Sequence, residues 1–360
     1  MSSSAEPLLQ VQGLRKRFPI DKGLLRKPTR FVHAVDDLDF SIGRGESLGL
    51  VGESGCGKTT TGRLLTRLEE ATGGNVLFHG NPRSADNTAE PGDTSGDSAG
   101  TEPARGNGAA IDIAELQGAD LKEFRRNVQM IFQDPYESMN PRRTIYDTVA
   151  EPLSVQRIGS VTERELRVAT MLELVGLTPA ASYLFRYPHE LSGGQRQRVA
   201  IARALVLEPS FVVADEPTSM LDVSIRISIM ELMADLARRL GVSYLYITHD
   251  LAVARYLCQR IAVMYLGKIV EIAETEELLR NPLHPYTKAL LTAVPVPDPS
   301  VVRPEPDITG GVSKPINPAS TCRFMDRCPR ASDVCRDNDH PPLEELSPGH
   351  FVSCYLADAG

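Results

Sequence analysis

Apolar residues along the chain fall into short runs separated by polar and glycine-rich turns. Several runs are mainly apolar and only four to six residues long, which is typical of buried strands. The predicted strands are Ser47–Val51, Val128–Phe132, Phe211–Ala214 and Val242–Ile247. A further pair, Ile261–Met264 and Lys268–Ile272, lies on either side of Gly267 and predicts a hairpin.

Between these runs the apolar residues follow helical spacing. In residues 162–175 the apolar residues fall close to helical spacing: Leu166, Val168, Met171, Leu172 and Val175. The other predicted helices are Lys58 to Leu68, Gly194 to Leu207 after the cap Ser192, and one that Asp222 caps. Strands that alternate with helices predict an α/β fold with a mostly parallel sheet covered on both faces.

Two segments break this alternation. Residues 81–110 contain no Val, Ile, Leu, Met, Phe or Tyr, so we expect a disordered insertion in a surface loop. Residues 294–318 are rich in proline and are expected to be extended.

Composition restricts the possible partners. Hydrophobic residues make up 41% and charged residues 24% of the 360 residues, which is typical of a globular protein. The formal net charge of -8 does not favour binding to nucleic acid. No apolar run approaches the roughly 20 residues of a membrane span. The start, Met1 to Ser4, has no secretory signal pattern. We therefore expect a cytoplasmic protein whose membrane role, if any, depends on a partner.

The segment Gly52–Thr59 matches the phosphate-binding pattern G-x-x-x-x-G-K-[ST] between a predicted strand and a predicted helix. Its glycines let backbone N–H groups curl around phosphate oxygens, and the following helix presents its positive end to them. Lys58 can reach the β- and γ-phosphates, and the Thr59 hydroxyl can bind Mg²⁺.

Polar residues follow three further strands of the predicted sheet. Asp215 and Glu216 end one strand, Gln133 follows another, and His249 follows a third. Ligands of parallel α/β sheets bind beyond the carboxyl ends of the strands, so these side chains can meet at one nucleotide. Asp215 would hold Mg²⁺ and Glu216 would orient or deprotonate the attacking water.

The segment Leu191–Gln195 offers a second anion-binding cradle, made of Ser192 and two glycines at a helix start. One nucleotide does not need two cradles. A two-fold dimer that shares two nucleotides does.

Together, these motifs resemble those of the ATP-binding subunits of ABC transporters, over about residues 8–285 and the tail. The matching positions are the Walker A loop (Gly52–Thr59), the Q-loop glutamine (Gln133), the signature (Leu191–Gln195), the Walker B aspartate (Asp215), the catalytic glutamate (Glu216), the D-loop (Ser219–Asp222, with Met220 where Ala is usual) and the switch histidine (His249). Phe18 falls where the family places an aromatic residue against adenine, although a core phenylalanine in an N-terminal strand is an alternative.

The resemblance implies an ABC ATPase core over residues 1–285, with an antiparallel β subdomain and a helical subdomain at about 121–190, and a small cysteine-rich tail over 286–360. It implies ATP and Mg²⁺ as cofactors. Catalytic roles fall on Glu216, His249 and Gln133, and magnesium binding on Thr59, Gln133 and Asp215. Nucleotide contacts fall on Phe18, Gly52, Glu53, Ser54, Gly55, Cys56, Gly57, Lys58, Thr59, Thr60, Gln133, Asp215, Ser192, Gly193, Gly194 and Gln195.

Residues Asn281–Thr287 and Ala293–Pro295 resemble the peptide/nickel branch of ABC importers, and so does the tail. This resemblance implies two integral membrane permease subunits, a second ATP-binding subunit and an extracytoplasmic solute-binding protein. The chain would then lie at the cytoplasmic face of the cell membrane and power import of a di- or oligopeptide.

Four of the six cysteines crowd the last 39 residues. They are Cys322, Cys328, Cys335 and Cys354. In a reducing compartment such crowding favours a metal over disulfides, and four thiolates suit either zinc or a [4Fe–4S] cluster. The family resemblance favours the cluster.

Two other functions fit part of the sequence. A soluble ABC ATPase of ribosomes or DNA would usually carry two cassettes or a long coiled coil, and neither is found here. An ATPase of iron–sulfur assembly would use the cysteine tail as its working part.

Overall fold

The computed structural model describes residues 7–20, 28–80, 110–136, 138–293, 308, 310–311 and 314–357 of the chain. The predicted insertion at 81–110 lies outside these residues except for Ala110. Most of the proline-rich stretch at 294–318 also lies outside them, but Ile316 forms an antiparallel bridge with Val32.

The strands are β1 (Leu9–Pro19), β2 (Phe31–Ile42), β3 (Ser47–Val51), β4 (Gly73–Phe78), β5 (Ile111–Asp112), β6 (Val128–Ile131), β7 (Phe211–Asp215), β8 (Ser243–Thr248), β9 (Arg260–Tyr265), β10 (Lys268–Glu274), β11 (Glu344–Ser347) and β12 (His350–Val352). The α-helices are α1 (Lys58–Leu65), α2 (Gly118–Asn127), α3 (Ile145–Gln156), α4 (Val161–Leu174), α5 (Gly193–Leu205), α6 (Val223–Leu240), α7 (Leu251–Leu257), α8 (Thr275–Arg280), α9 (Pro285–Ala293) and α10 (Asp333–Asp337). No described helix is both long and apolar enough to cross a bilayer.

The strands form two sheets. The larger has the order β11-β12-β10-β9-β3-β8-β7-β6. Neighbours from β6 to β9 pair in parallel, and β10, β12 and β11 continue the sheet with antiparallel pairs. The smaller sheet, β2-β1-β4-β5, is antiparallel throughout. The predicted α/β class with a mostly parallel sheet is confirmed.

Both faces of the large sheet are covered, as its apolar strands require. Alternate residues of β7 pack into two different hydrophobic cores, one on each face of the sheet, because successive side chains of a strand point to opposite faces. Val212 and Ala214 pack with residues of α3 to α6, whereas Phe211 and Val213 pack with α1 and the small sheet. The parallel strands are thus held between a helical layer and a β layer, and their carboxyl ends stay open for a site.

Most predicted elements are present with ends shifted by one residue or a few. The helix predicted to reach Leu68 ends at Leu65, because Arg67 adopts a left-handed conformation with a φ of 53°. Ser192 caps α5 as predicted, since its side chain accepts a hydrogen bond from the Gln195 backbone. Asp222 occupies the N-cap position of α6, but its side chain makes no capping hydrogen bond.

Candidate functional site

The glycine-rich loop between β3 and α1 has a backbone that only glycine can supply at two points. Gly57 has a φ of 114°, and a Cβ atom there would lie 2.1 Å from the Ala34 carbonyl oxygen. A Cβ atom on Gly52 would lie 2.2 Å from the Met264 carbonyl oxygen. The loop therefore lies directly against β2 and the end of β9, which explains its glycines by close approach.

Lys58 is buried and folds back over the loop that precedes it. Its Nζ donates hydrogen bonds to the carbonyl oxygens of Gly52, at 2.7 Å, and Glu53, at 2.9 Å. The ammonium group is thus held at the centre of the loop, where the predicted phosphate groups would lie. Cys56 is buried beneath the loop, with its Sγ 3.8 Å from the same Nζ. Burial raises the pKa of the Cys56 thiol.

The two carboxylates at the carboxyl end of β7 face different neighbours. Asp215 is buried and accepts a hydrogen bond from the Thr59 hydroxyl at 3.1 Å. Burial raises the pKa of Asp215, and a bound cation would favour its ionised form. A hydroxyl and a carboxylate at this distance are oxygen donors of the kind Mg²⁺ prefers, so two of the three predicted ligands fit this ion. The third, Gln133, lines the same cavity as these two residues, and its amide nitrogen donates to Glu216; its role as a ligand stays a prediction.

Glu216 has a φ of 44°, a left-handed conformation that non-glycine residues seldom adopt. Its backbone N–H donates to the Ile247 carbonyl at 2.9 Å, which fixes the residue against β8. Its Oε2 accepts a hydrogen bond from Gln133 Nε2 at 3.1 Å, and its Oε1 lies 2.9 Å from His249 Nδ1. The three polar strand ends predicted from the sequence therefore meet at one carboxylate.

An open cavity of about 570 Å³ joins the loop to this cluster. The residues that line it are Val32, Ala34, Gly52, Glu53, Ser54, Gly55, Gly57, Lys58, Thr59, Thr60, Gln133, Glu216, His249 and Leu290. Asp215 lines a neighbouring cavity that Thr59 and Gln133 share. The cavity is large enough for a nucleotide-sized ligand and carries carboxylate, amide, ammonium and imidazole groups at its wall.

Phe18 lies near the end of β1, and 36% of its surface is exposed. It is not among the residues that line the cavity, but it pairs with Val32, which is. Lys16 Nζ lies 4.9 Å from the centroid of its ring. A role against adenine stays a prediction.

The cradle Ser192–Gln195 stands apart from the cavity. None of its residues lines it. Ser192 Oγ accepts from the Gln195 backbone at 3.3 Å and Gln195 Oε1 accepts from the Ser192 backbone at 3.0 Å. Gly194 is packed so closely on α6 that a Cβ atom would meet Ile225 Cγ2 at 2.6 Å. The start of α5 is thus held by its capping bonds and by α6, away from the cavity, and its role as a second cradle stays a prediction.

The four tail cysteines influence one another electrostatically. Burial, and to a smaller extent the charges of Cys335, Cys354 and Cys328, raise the pKa of Cys322 to about 11. Among the described residues, no group of three or more His, Cys, Asp and Glu side chains is arranged to hold a metal ion.

Sequence reasoning missed the residues that hold the loop from the opposite side. Arg327 and Tyr286 both contact Glu53, and Leu290 of α9 lines the cavity. These contacts join residues more than 200 positions apart, so no local pattern of the sequence could indicate them.

Comparison with protein-family models finds two matches. Residues 35–219 match the ABC transporter model. Residues 270–335 match the model of the oligopeptide/dipeptide transporter C-terminal region.

The chain is also similar to named proteins over nearly its whole length. It is 42% identical over 358 residues to the oligopeptide transport ATP-binding protein AppF of Bacillus subtilis, which covers 99% of both chains. It is 43% identical to the dipeptide transport ATP-binding protein DppF of Haemophilus influenzae, over 98% of this chain and 97% of that one.

Among solved structures, a dimeric post-hydrolysis state of the ATP-binding cassette MJ0796, bound to ADP and Pi, matches with a TM-score of 0.58 and 27% identity. The match covers 74% of this chain and 98% of that chain.

Proposed function

This chain belongs to the ABC transporter family of ATPases, and on that premise we propose that it powers the import of di- or oligopeptides. The observation that carries the ATPase part is the contact of Gln133 and His249 with the two oxygens of Glu216. The observation that carries the peptide part is the C-terminal region at residues 270–335, whose model is that of oligopeptide and dipeptide transporters.

In the proposed hydrolysis, Lys58 and the backbone of the loop bind the phosphates, and Thr59 and Asp215 would hold Mg²⁺, which neutralises developing charge on the phosphates. Glu216 lies beside this pair and accepts a proton from the attacking water. Gln133 and His249 fix both oxygens of that carboxylate, so its position is set before the water arrives.

We infer that each nucleotide is completed by a second ATP-binding subunit. The cradle Ser192–Gln195 is separated from the cavity of its own chain and is rigidly capped. It would offer its backbone N–H groups to the γ-phosphate bound by the loop of the second subunit. Ser192, Gly193, Gly194 and Gln195 are the positions assigned to this contact.

The remaining partners would be two integral membrane permeases and an extracytoplasmic solute-binding protein, with this chain peripheral at the cytoplasmic face. Residues 121–190 include α3 and α4, which form a helical cluster separate from the β layer and suit contact with a permease. The proposed division is a nucleotide-binding domain at 1–285 and a tail at 286–360, whose strands β11 and β12 extend the large sheet.

For the tail we propose a [4Fe–4S] cluster on Cys322, Cys328, Cys335 and Cys354. Its support is the presence of four free thiols within one short tail that resembles the tails of the importer branch. The described residues show no preformed group of three or more such ligands, so the cluster would have to draw the thiols together. The cluster would add to the β10–β12 pairing and the buried Phe324, which already attach the tail to the core. Zinc is the alternative occupant.

Purification from membranes tests the function. The tagged chain should recover integral membrane proteins, and the purified complex in vesicles should take up a labelled peptide mixture only with ATP and a solute-binding protein. Recovery of ribosomes, DNA or iron–sulfur assembly proteins without membrane subunits would contradict import and support one of the two alternatives.

A further inference from the structure

Residues of the C-terminal tail form hydrogen bonds with the outer side of the phosphate-binding loop. The Arg327 guanidinium donates hydrogen bonds to both carboxylate oxygens of Glu53, at 2.7 Å and 3.0 Å. The Tyr286 hydroxyl accepts a hydrogen bond from the Glu53 backbone N–H at 2.9 Å. Because the Glu53 carbonyl also accepts from Lys58 Nζ, one residue of the loop connects the tail with the phosphate-binding ammonium group.

Arg327 is fixed before any nucleotide arrives. Only 7% of its side chain is exposed, and its guanidinium carbon lies 5.7 Å from the centroid of the Tyr265 ring. The preceding Phe324 is buried and packs against Tyr265 and Tyr286. The paired hydrogen bonds set the direction of the Glu53 carboxylate as well as its distance, which a single contact would not do.

The charge of Glu53 gives this contact a consequence for binding. Glu53 lines the nucleotide cavity together with Lys58. An unpaired carboxylate at that wall would repel a triphosphate, because like charges in a partly solvated site act on each other over several ångströms. Arg327 cancels this charge without entering the cavity, since it is not among the lining residues.

We propose that Arg327 is a positioning residue of the nucleotide site, which neutralises and orients Glu53 and thereby sets the affinity of the loop for ATP. This inference rests on the ATP binding of the proposed function but not on peptide import. The tail is therefore part of the ATP site, although Arg327 and Glu53 are 274 positions apart in the sequence.

A double-mutant cycle on Arg327 and Glu53 tests this role. The affinity of each full-length variant for ATP with Mg²⁺ is measured by calorimetric titration. Arg327→Ala should weaken ATP binding roughly tenfold at low salt, and by much less at high salt, where repulsion from the freed carboxylate is screened. Adding Glu53→Gln to Arg327→Ala should restore the affinity to that of Glu53→Gln alone, because no unpaired charge remains. Arg327→Lys should bind ATP with an affinity between those of Arg327→Ala and the unaltered chain, since an ammonium group cannot pair with both carboxylate oxygens in the same plane.

Arg336→Ala is the matched control. It removes one positive charge from the same tail, but Arg336 is exposed and pairs with Asp333 there, so ATP affinity should not change. If Arg327→Ala merely unfolds the tail, the loss will persist at high salt and Glu53→Gln will not rescue it, and either result overturns the proposal. Failure of the unaltered chain to bind ATP would instead contradict the ATPase function itself.

Discussion

His249 Nδ1 lies 2.9 Å from Glu216 Oε1, so the residues that follow β8 and β7 meet through their side chains. The other oxygen of Glu216 is held by Gln133. A carboxylate with both oxygens directed in this way is prepared to receive a proton from a water at one position.

Replacing Glu216 with Gln should therefore leave ATP binding in place and slow hydrolysis by roughly 10²–10⁴-fold, because the amide cannot accept the proton. The phosphate-binding groups are untouched, so ATP should remain bound and hold two subunits together. Steady-state phosphate release and nucleotide retention measure both effects. Glu231→Gln, on the exposed side of α6, is the control and should keep normal turnover. Normal turnover by Glu216→Gln would remove this residue from the mechanism.

The tail should lose stability as the pH rises above about 6.5, the range in which His350 gives up its proton. Below that pH the buried His284 and His340 act in the opposite direction, because burial lowers their pKa values to about 4 and about 3. His350 is buried with its Nε2 2.8 Å from Glu271 Oε1, and this hydrogen bond raises the pKa of His350 above 6.5. A raised pKa contributes stability in full below about pH 6.5, and that contribution is lost as pH rises through the folded-state value. Each unit of the rise is worth about 1.4 kcal/mol of unfolding free energy.

Unfolding followed from about pH 6.5 into the alkaline range checks this expectation. His350→Gln should flatten the dependence, whereas the exposed His189→Gln should leave it unchanged. An identical slope in the His350 variant would show that this pair does not govern the pH dependence of the tail.

Deleting residues 81–110 should preserve ATPase activity and assembly. Phe78 pairs with Ile111 and Leu77 with Asp112, so the strands that flank the segment already lie side by side. The deletion leaves His79 and Gly80 as a two-residue connection between β4 and β5, a common hairpin length, and removing a long loop changes the closure entropy little.

A longer deletion through Asp112 is the contrast. Asp112 Oδ1 accepts from the Ala114 backbone at 2.9 Å, and its loss with β5 should lower the melting temperature. If the shorter deletion alone abolishes assembly with the membrane subunits, the segment serves as a docking element.

Protein purified without oxygen should be brown and contain about four irons per chain. Cys335→Ser should lose the colour and loosen the tail, because Cys335 is buried on α10 and its loss would leave only three thiols for the cluster. Cys258→Ser should keep the iron, since Cys258 is buried at the end of α7 and outside the tail. Colourless protein with one zinc per chain would show that the tail binds zinc and not an iron–sulfur cluster. The ATPase assignment would be unaffected.

The core of the fold could be predicted because its signals are local. The strand Ser47–Val51, the glycines after it and Lys58 follow one another directly, and Ser192 lies next to the helix it caps. The meeting of Gln133, Glu216 and His249 could also be predicted, since parallel strands bring their carboxyl ends to one edge.

The tail could not be predicted in the same way. β12 adds to β10 by backbone pairing, for which a three-residue strand gives no pattern in the sequence. The contacts Arg327–Glu53 and His350–Glu271 depend on packing between distant segments. The sequence alone does not indicate which arginine or histidine pairs with each glutamate. Asp222 makes no capping hydrogen bond although it occupies the N-cap position. An aspartate at a helix start is able to cap the helix, but the residue type alone does not ensure that it does so.

The place of β12 beside β10 also determines when the protein can finish folding during its synthesis. The ribosome releases a chain from its N-terminal end, so β10 emerges well before the strand that covers its edge. Until residue 352 has left the ribosome, that edge offers unpaired N–H and C=O groups to any neighbouring strand, and Glu271 lacks its histidine. The nascent ATPase is therefore most exposed to mispairing in the interval between these two strands.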